Sequence, residues 1–100
     1  MLLPGVKGSD GLFRRLKGVK LPYVRQAYIY YTCMDYADQD EATKAKIERL
    51  CREIGDNEYD TKALFEFLTN QYINASGVAL KYYLNEKKLY RMRIEFFMRW

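Results

Sequence analysis

Histidine is absent from the 100 residues, and with it the usual general base at neutral pH and the commonest nitrogen ligand for a metal. Cysteine is down to Cys33 and Cys51. That is too few for the disulfide framework of a small secreted domain and leaves no Cys/His pair for nucleophilic catalysis. At most one disulfide is available, and the apolar-periodic surroundings of both residues are those of buried thiols. No glycine-rich loop of the phosphate-binding kind is present. The acidic block Asp35, Asp38, Asp40 and Glu41 lacks the glycine turn and closing glutamate of a calcium loop, and reads as helix capping. No constellation of carboxylates stands out around Glu66 or Glu95. The chain is therefore expected to be neither an enzyme nor a holder of metal or cofactor.

Long apolar runs are also missing, so no membrane span is expected. The opening Met1-Leu2-Leu3-Pro4-Gly5 lacks the apolar stretch of a signal peptide, and the expected location is the cytoplasm. No Val/Ile/Thr-rich alternation offers a strand. What remains is an all-α chain of one domain's length with a hydrophobic fraction of 49%, enough for a core.

Charge is distributed unevenly. Residues 1–31 hold six basic and one acidic side chain, residues 32–70 five and ten, and residues 71–100 six and two. Two basic ends around an acidic middle suit a polyanionic partner, of which nucleic acid is the commonest.

Residues 1–21 are rich in Gly, Lys and Arg and read as a flexible basic arm, with Leu12, Phe13 and Leu16 as a short apolar anchor. Arg14, Arg15, Lys17 and Lys20 are its candidates for minor-groove or phosphate contact. Residues 22–100 form a single helical domain of about five helices. Pro22 opens the first, with Val24, Ala27, Tyr28, Tyr31 and Met34 on one face. The cluster Tyr23, Tyr28, Tyr30 and Tyr31 reads as core and interface packing rather than a base-stacking surface. Asp38 and Glu41 resemble a capping box for the second helix, which carries Ile47, Leu50, Cys51 and Ile54 and stops at Gly55. Glu48 and Arg52 are spaced to support it as an i,i+4 pair. The third is expected to start at Asp60 as N-cap, with Ala63, Leu64, Phe67 and Leu68 inward. Asn70 to Ser76 is a polar break. A fourth runs from about Gly77 to Leu84 and a fifth from Glu86 onward.

The last two carry the functional reading. Small Ala79 allows close helix approach, Val78 and Tyr82 face the core, Leu84 fills the turn, and Asn85 can cap the next helix. Leu89, Met92 and Phe96 are the inner positions of that helix. By elimination Glu86, Lys87, Tyr90, Arg91 and Ile94 face outward, with Lys88 on the flank. Lys87 and Arg91 suit guanine O6/N7, Glu86 cytosine N4, and Tyr90 stacking or a phosphate. Lys81 and Arg93 suit the DNA backbone.

The run Leu84-Asn85-Glu86-Lys87-Lys88-Leu89-Tyr90-Arg91-Met92-Arg93 resembles the turn and recognition helix of the sigma-factor region-4-like helix-turn-helix superfamily. Small phage-borne and mobile-element transcriptional regulators share that motif. The likeness covers residues 76–96 and implies duplex DNA as ligand, with RNA polymerase as a further partner. It implies a contact role for Glu86, Lys87, Tyr90 and Arg91. In that motif the turn usually carries Gly where this chain has Tyr83, whose Cβ resists φ > 0, so the departure points either to a slightly different turn or to a chance likeness. The usual Ser or Thr cap is Asn85.

The reading is thus a bacterial or phage transcriptional regulator. A helical protein-interaction module is the alternative, and DNA packaging or recombination a third setting. The apolar end, Phe96-Phe97-Met98-Arg99-Trp100, is expected either to pack on the tyrosine-rich first helix or to form a homo-oligomer seam that pairs two DNA-reading helices.

Overall fold

A computed structural model describes residues 13–100. Residues 1–12, which hold the opening of the chain and the first part of the expected arm, lie outside the described residues. The described chain is all-α: α1 (Tyr23–Met34), a 3-10 turn (Tyr36–Asp38), α2 (Glu41–Ile54), α3 (Glu58–Thr69), α4 (Ala75–Tyr82) and α5 (Glu86–Arg99). No strand occurs among the described residues, and no helix is long and apolar enough to cross a membrane.

Helix starts follow side-chain chemistry. Asp40, Asn57, Asn74 and Asn85 each sit at an N-cap and accept a backbone N–H from the first turn, satisfying donors the helix itself cannot reach. Three starts differ from the sequence expectation. The cap of α2 is Asp40 instead of Asp38, because Asp38 is drawn into the 3-10 turn. The cap of α3 is Asn57, which leaves Asp60 inside the first turn with its side chain fully buried. The cap of α4 is Asn74, so that helix begins at Ala75 and ends at Tyr82, two residues earlier at each end than expected. Glu48 does not join Arg52. Its carboxylate accepts the Tyr36 hydroxyl, while Arg49 and Glu53 form the i,i+4 pair on α2.

α3 touches each of the other four helices and is the centre of the domain. Its Ala63, Leu64, Phe67 and Leu68 are buried, as are Ile47, Leu50, Cys51 and Ile54 of α2 and Leu89, Met92 and Phe96 of α5, all on the stripes read from spacing.

The inward face of α1 is not the expected one. Gln26, Ile29, Thr32 and Cys33 are buried, while Val24 is 78% and Tyr28 56% exposed. This helix is apolar on several sides, so periodicity alone leaves its rotation open. A polar residue decides it. The Gln26 side chain accepts the Leu16 N–H at 2.9 Å and donates to the Val19 carbonyl at 3.2 Å and the Leu21 carbonyl at 2.9 Å.

Those bonds hold residues 13–21 against the bundle, in contrast to the loose arm expected of them. Phe13 and Val19 are buried. The Phe13 ring lies 4.9 Å from Tyr30 and 6.4 Å from Phe97. Its backbone is held at both ends, with the carbonyl accepting from the Tyr23 hydroxyl and the N–H donating to the Tyr31 oxygen. The anchor foreseen at Phe13 and Leu16 thus closes onto the tyrosine face, and the apolar end of α5 is largely used within the chain. Phe96 and Phe97 are buried, Trp100 is half-buried under the Lys46 ammonium at 4.1 Å, and Met98 stays 48% exposed.

Candidate nucleic-acid interface

α4 and α5 are joined by residues 83–85 alone, the length at which two helices turn sharply on one another. The turn is closed by the N–H groups of Tyr83 and Leu84, both of which donate to the Ala79 carbonyl, as in a Schellman-type stop. Tyr83 takes the left-handed conformation, φ 60° and ψ 40°. The tight turn that a glycine usually makes is therefore made by a tyrosine, and the slightly different turn, one of the two expectations for it, does not form. Its side chain is 88% exposed and meets no steric wall, so the local cost of positive φ is offset by the two closing bonds and by half-buried Leu84 beneath. Asn85 then caps α5 by accepting the Lys87 N–H at 2.7 Å.

Of the seven side chains expected at the interface, Lys81, Lys88 and Arg93 are engaged within the domain. The Lys81 ammonium lies 2.8 Å from Glu66, which also accepts the Tyr82 hydroxyl at 2.8 Å. Burial alone would raise the Glu66 pKa, but the two hydrogen bonds outweigh it and hold the carboxyl below its ordinary range. The bond to Glu66 raises the Lys81 pKa in turn.

Lys88 reaches the first turn of α3, 2.7 Å from Asp60 and 3.3 Å from Asp56. The hydrogen bond to Asp60 is the main cause of its raised pKa. Asp60 Oδ2 also accepts the Asp56 N–H, while its buried Oδ1 has no partner among the described residues. Arg93 lies over the Phe67 ring at 4.7 Å and the Tyr90 ring at 5.3 Å. Burial lowers its pKa, and its buried Nε has no hydrogen-bond partner among the described residues.

The other four side chains stay at the surface. Glu86 accepts the Ser76 hydroxyl at 3.0 Å, bridging the two helices. Tyr90 leans edge-on to Phe67 and remains 41% exposed. Lys87 and Arg91 are exposed and form no ion pair among the described residues. They are four residues apart on one face of α5 and therefore about 6 Å apart along the axis. Ile94, expected to continue that outer face, is instead half-buried beneath the N-terminal segment, where a Cβ added to Gly18 would stand 3.2 Å from its Cδ1.

Sequence reasoning missed the internal partners Asp60, Asp56, Glu66 and Phe67. Asp60 was visible as a helix-start residue, but only the fold shows that its carboxylate turns inward. Among the described residues no group of three acidic or cysteine side chains is arranged to hold a metal ion. Compared with protein-family models, curated proteins and solved structures, the chain matches none.

Proposed function

We propose that this chain binds duplex DNA as a sequence-reading regulator, with α4 and α5 acting as a helix-turn-helix and the first two turns of α5 entering the major groove. One observation carries the reading. Lys87 and Arg91 stand exposed on one face at the start of α5 with no carboxylate partner among the described residues, while Lys81, Lys88 and Arg93 are engaged within the domain. A helix docked by its N-terminal turns presents those two positions to base edges and phosphates. Tyr90 and Glu86 flank them, and Asn85 fixes the helix start. Lys88 and Arg93 serve by holding α5 on α3. A two-fold copy would place a second α5 in a neighbouring groove, and RNA polymerase would be a further partner in the same setting.

The test is fluorescence anisotropy of the full chain on mixed duplex DNA across a salt series. Wild type should bind with a steep salt dependence. Lys87→Ala with Arg91→Ala should lower the slope of log K against log salt by about 2, at about 0.9 per phosphate contact. Absence of binding at low salt overturns the reading.

A protein-docking module is the second reading, favoured by Leu80 and Tyr83, which are 81% and 88% exposed on the outer side of α4 and its turn. Under it, Leu80→Ser would abolish partner capture, while Lys87→Ala with Arg91→Ala would leave it unchanged.

A further inference from the structure

Among the described residues the longest stretch without a carboxylate runs from Phe13 to Met34. Its first part carries Arg15, Lys17 and Lys20, all exposed and without an ion pair among the described residues. These cations do not sit on a loose tail. Gln26 binds three backbone groups of the segment, and Phe13 anchors its start between Tyr23, Tyr30 and Phe97. Gly18 turns the backbone at φ +84° directly over Ile94 of α5, so close that a Cβ there would stand 3.2 Å from the Ile94 side chain.

That contact fixes where the segment lies relative to the DNA-reading face. Ile94 is three residues beyond Arg91 and seven beyond Lys87, about 10 Å further along the helix from Lys87. A helix about 10–12 Å across fills a major groove about 12 Å wide. A chain segment seated on the outer side of α5 therefore cannot follow it into the groove. It stops insertion after the first two turns and comes to rest at the groove wall, where the phosphates are.

We infer that the stapled segment from Arg15 to Lys20 is a second DNA-contact element, a basic shoulder beside α5 that takes the phosphates flanking the groove read by Lys87 and Arg91. The inference rests on the DNA-binding reading of α5 and adds a depth stop and an orientation to it. An ordered cation strip loses less side-chain and backbone freedom on binding than a free tail, so its phosphate contacts are retained at moderate salt.

The experiment uses the full chain and a mixed-sequence duplex of about three helical turns, with anisotropy titrations over a salt series and hydroxyl-radical footprints. Four proteins are compared: wild type, Lys87→Ala/Arg91→Ala, Arg15→Gln/Lys17→Gln/Lys20→Gln, and the two sets combined. The three glutamines replace exposed side chains with shorter uncharged polar ones, and unchanged helical circular dichroism verifies the fold. The shoulder variant should lower the salt slope by about 2–3, at about 0.9 per contact. It should weaken binding at least tenfold and lose protection at backbone positions beside those lost in the α5 variant. Wild-type slope, affinity and footprint in the shoulder variant would overturn the inference while leaving the α5 reading intact. If wild type binds no duplex, the α5 reading fails and the shoulder with it. Preference for single-stranded RNA over duplex would overturn both.

Discussion

The ammonium of Lys88, on the first turn of α5, lies 2.7 Å from the carboxylate of Asp60, which is fully buried on the first turn of α3. The pair ties the start of the proposed DNA-reading helix to the central helix of the domain. A carboxylate placed inside a protein is tolerable only while its partner remains.

Replacing Lys88 with Ala should therefore destabilise the fold, on the order of 3 kcal/mol by urea unfolding, because the buried Asp60 side chain loses its ion-pair partner. Combined with Asp60→Asn the loss should be clearly sub-additive, by about 1 kcal/mol or more in a double-mutant cycle. Additive losses would mean that the two side chains do not interact.

The same pair sets a pH dependence. Hydrogen bonding to Asp60 raises the Lys88 pKa above its ordinary 10.5. Its stabilisation is complete below that value and is lost as pH climbs through the raised one. Lys88→Met should show a smaller fall in stability between neutral and strongly alkaline pH than wild type.

At the turn, Tyr83→Gly should raise stability by about 1 kcal/mol, because glycine takes φ 60° without the Cβ clash and the tyrosine ring is already in solvent. Thermal melts should show a gain of about 4–8 °C. Tyr83→Val should move the melt the other way, since a β-branched residue is the worst fit to this conformation.

Gln26→Leu should uncouple the basic segment. Three backbone groups lose their partner, and each costs about 1–3 kcal/mol if it stays buried. Release of the segment into water limits the total. Limited proteolysis should cut the variant after Arg15, Lys17 or Lys20 much faster than wild type, and equal rates would show that Gln26 does not hold the segment.

The thiols of Cys33 and Cys51 are 1% and 0% exposed. Burial pushes the Cys51 pKa up to about 12, and Cys33 is raised as well, again chiefly by burial. Neither should react with Ellman's reagent at neutral pH in the native state, because the thiolate is the reactive form. Labelling should follow the urea unfolding curve.

How much of this is legible in the sequence depends on how far apart the partners are in the chain. α2, the inner stripe of α5 and the Asn85 cap depend on neighbours within a few residues, and spacing finds them. The rotation of α1 does not, because Val24 and Tyr28 are as apolar as the face that turns inward and Gln26 is chosen by bonds to residues up to ten positions away. Lys88 and Lys81 look like surface cations until Asp60 and Glu66 are brought beside them from another helix. Ile94 looks exposed until Gly18 arrives from the other end of the chain. Tyr83 shows a different limit, since a turn's bonding can impose a backbone conformation on a residue with little preference for it.

Phe13 stacked on Phe97 joins the beginning and the end of the described chain. Fraying is therefore not two independent events at two termini. The N-terminal segment cannot peel away without uncovering the last turns of α5, and those turns cannot unwind without freeing the segment. The local opening equilibria of the two ends are then one equilibrium. In native-state hydrogen exchange, the Leu16 amide and the amides around Phe97 should open with a common free energy, and Gln26→Leu should lower both together.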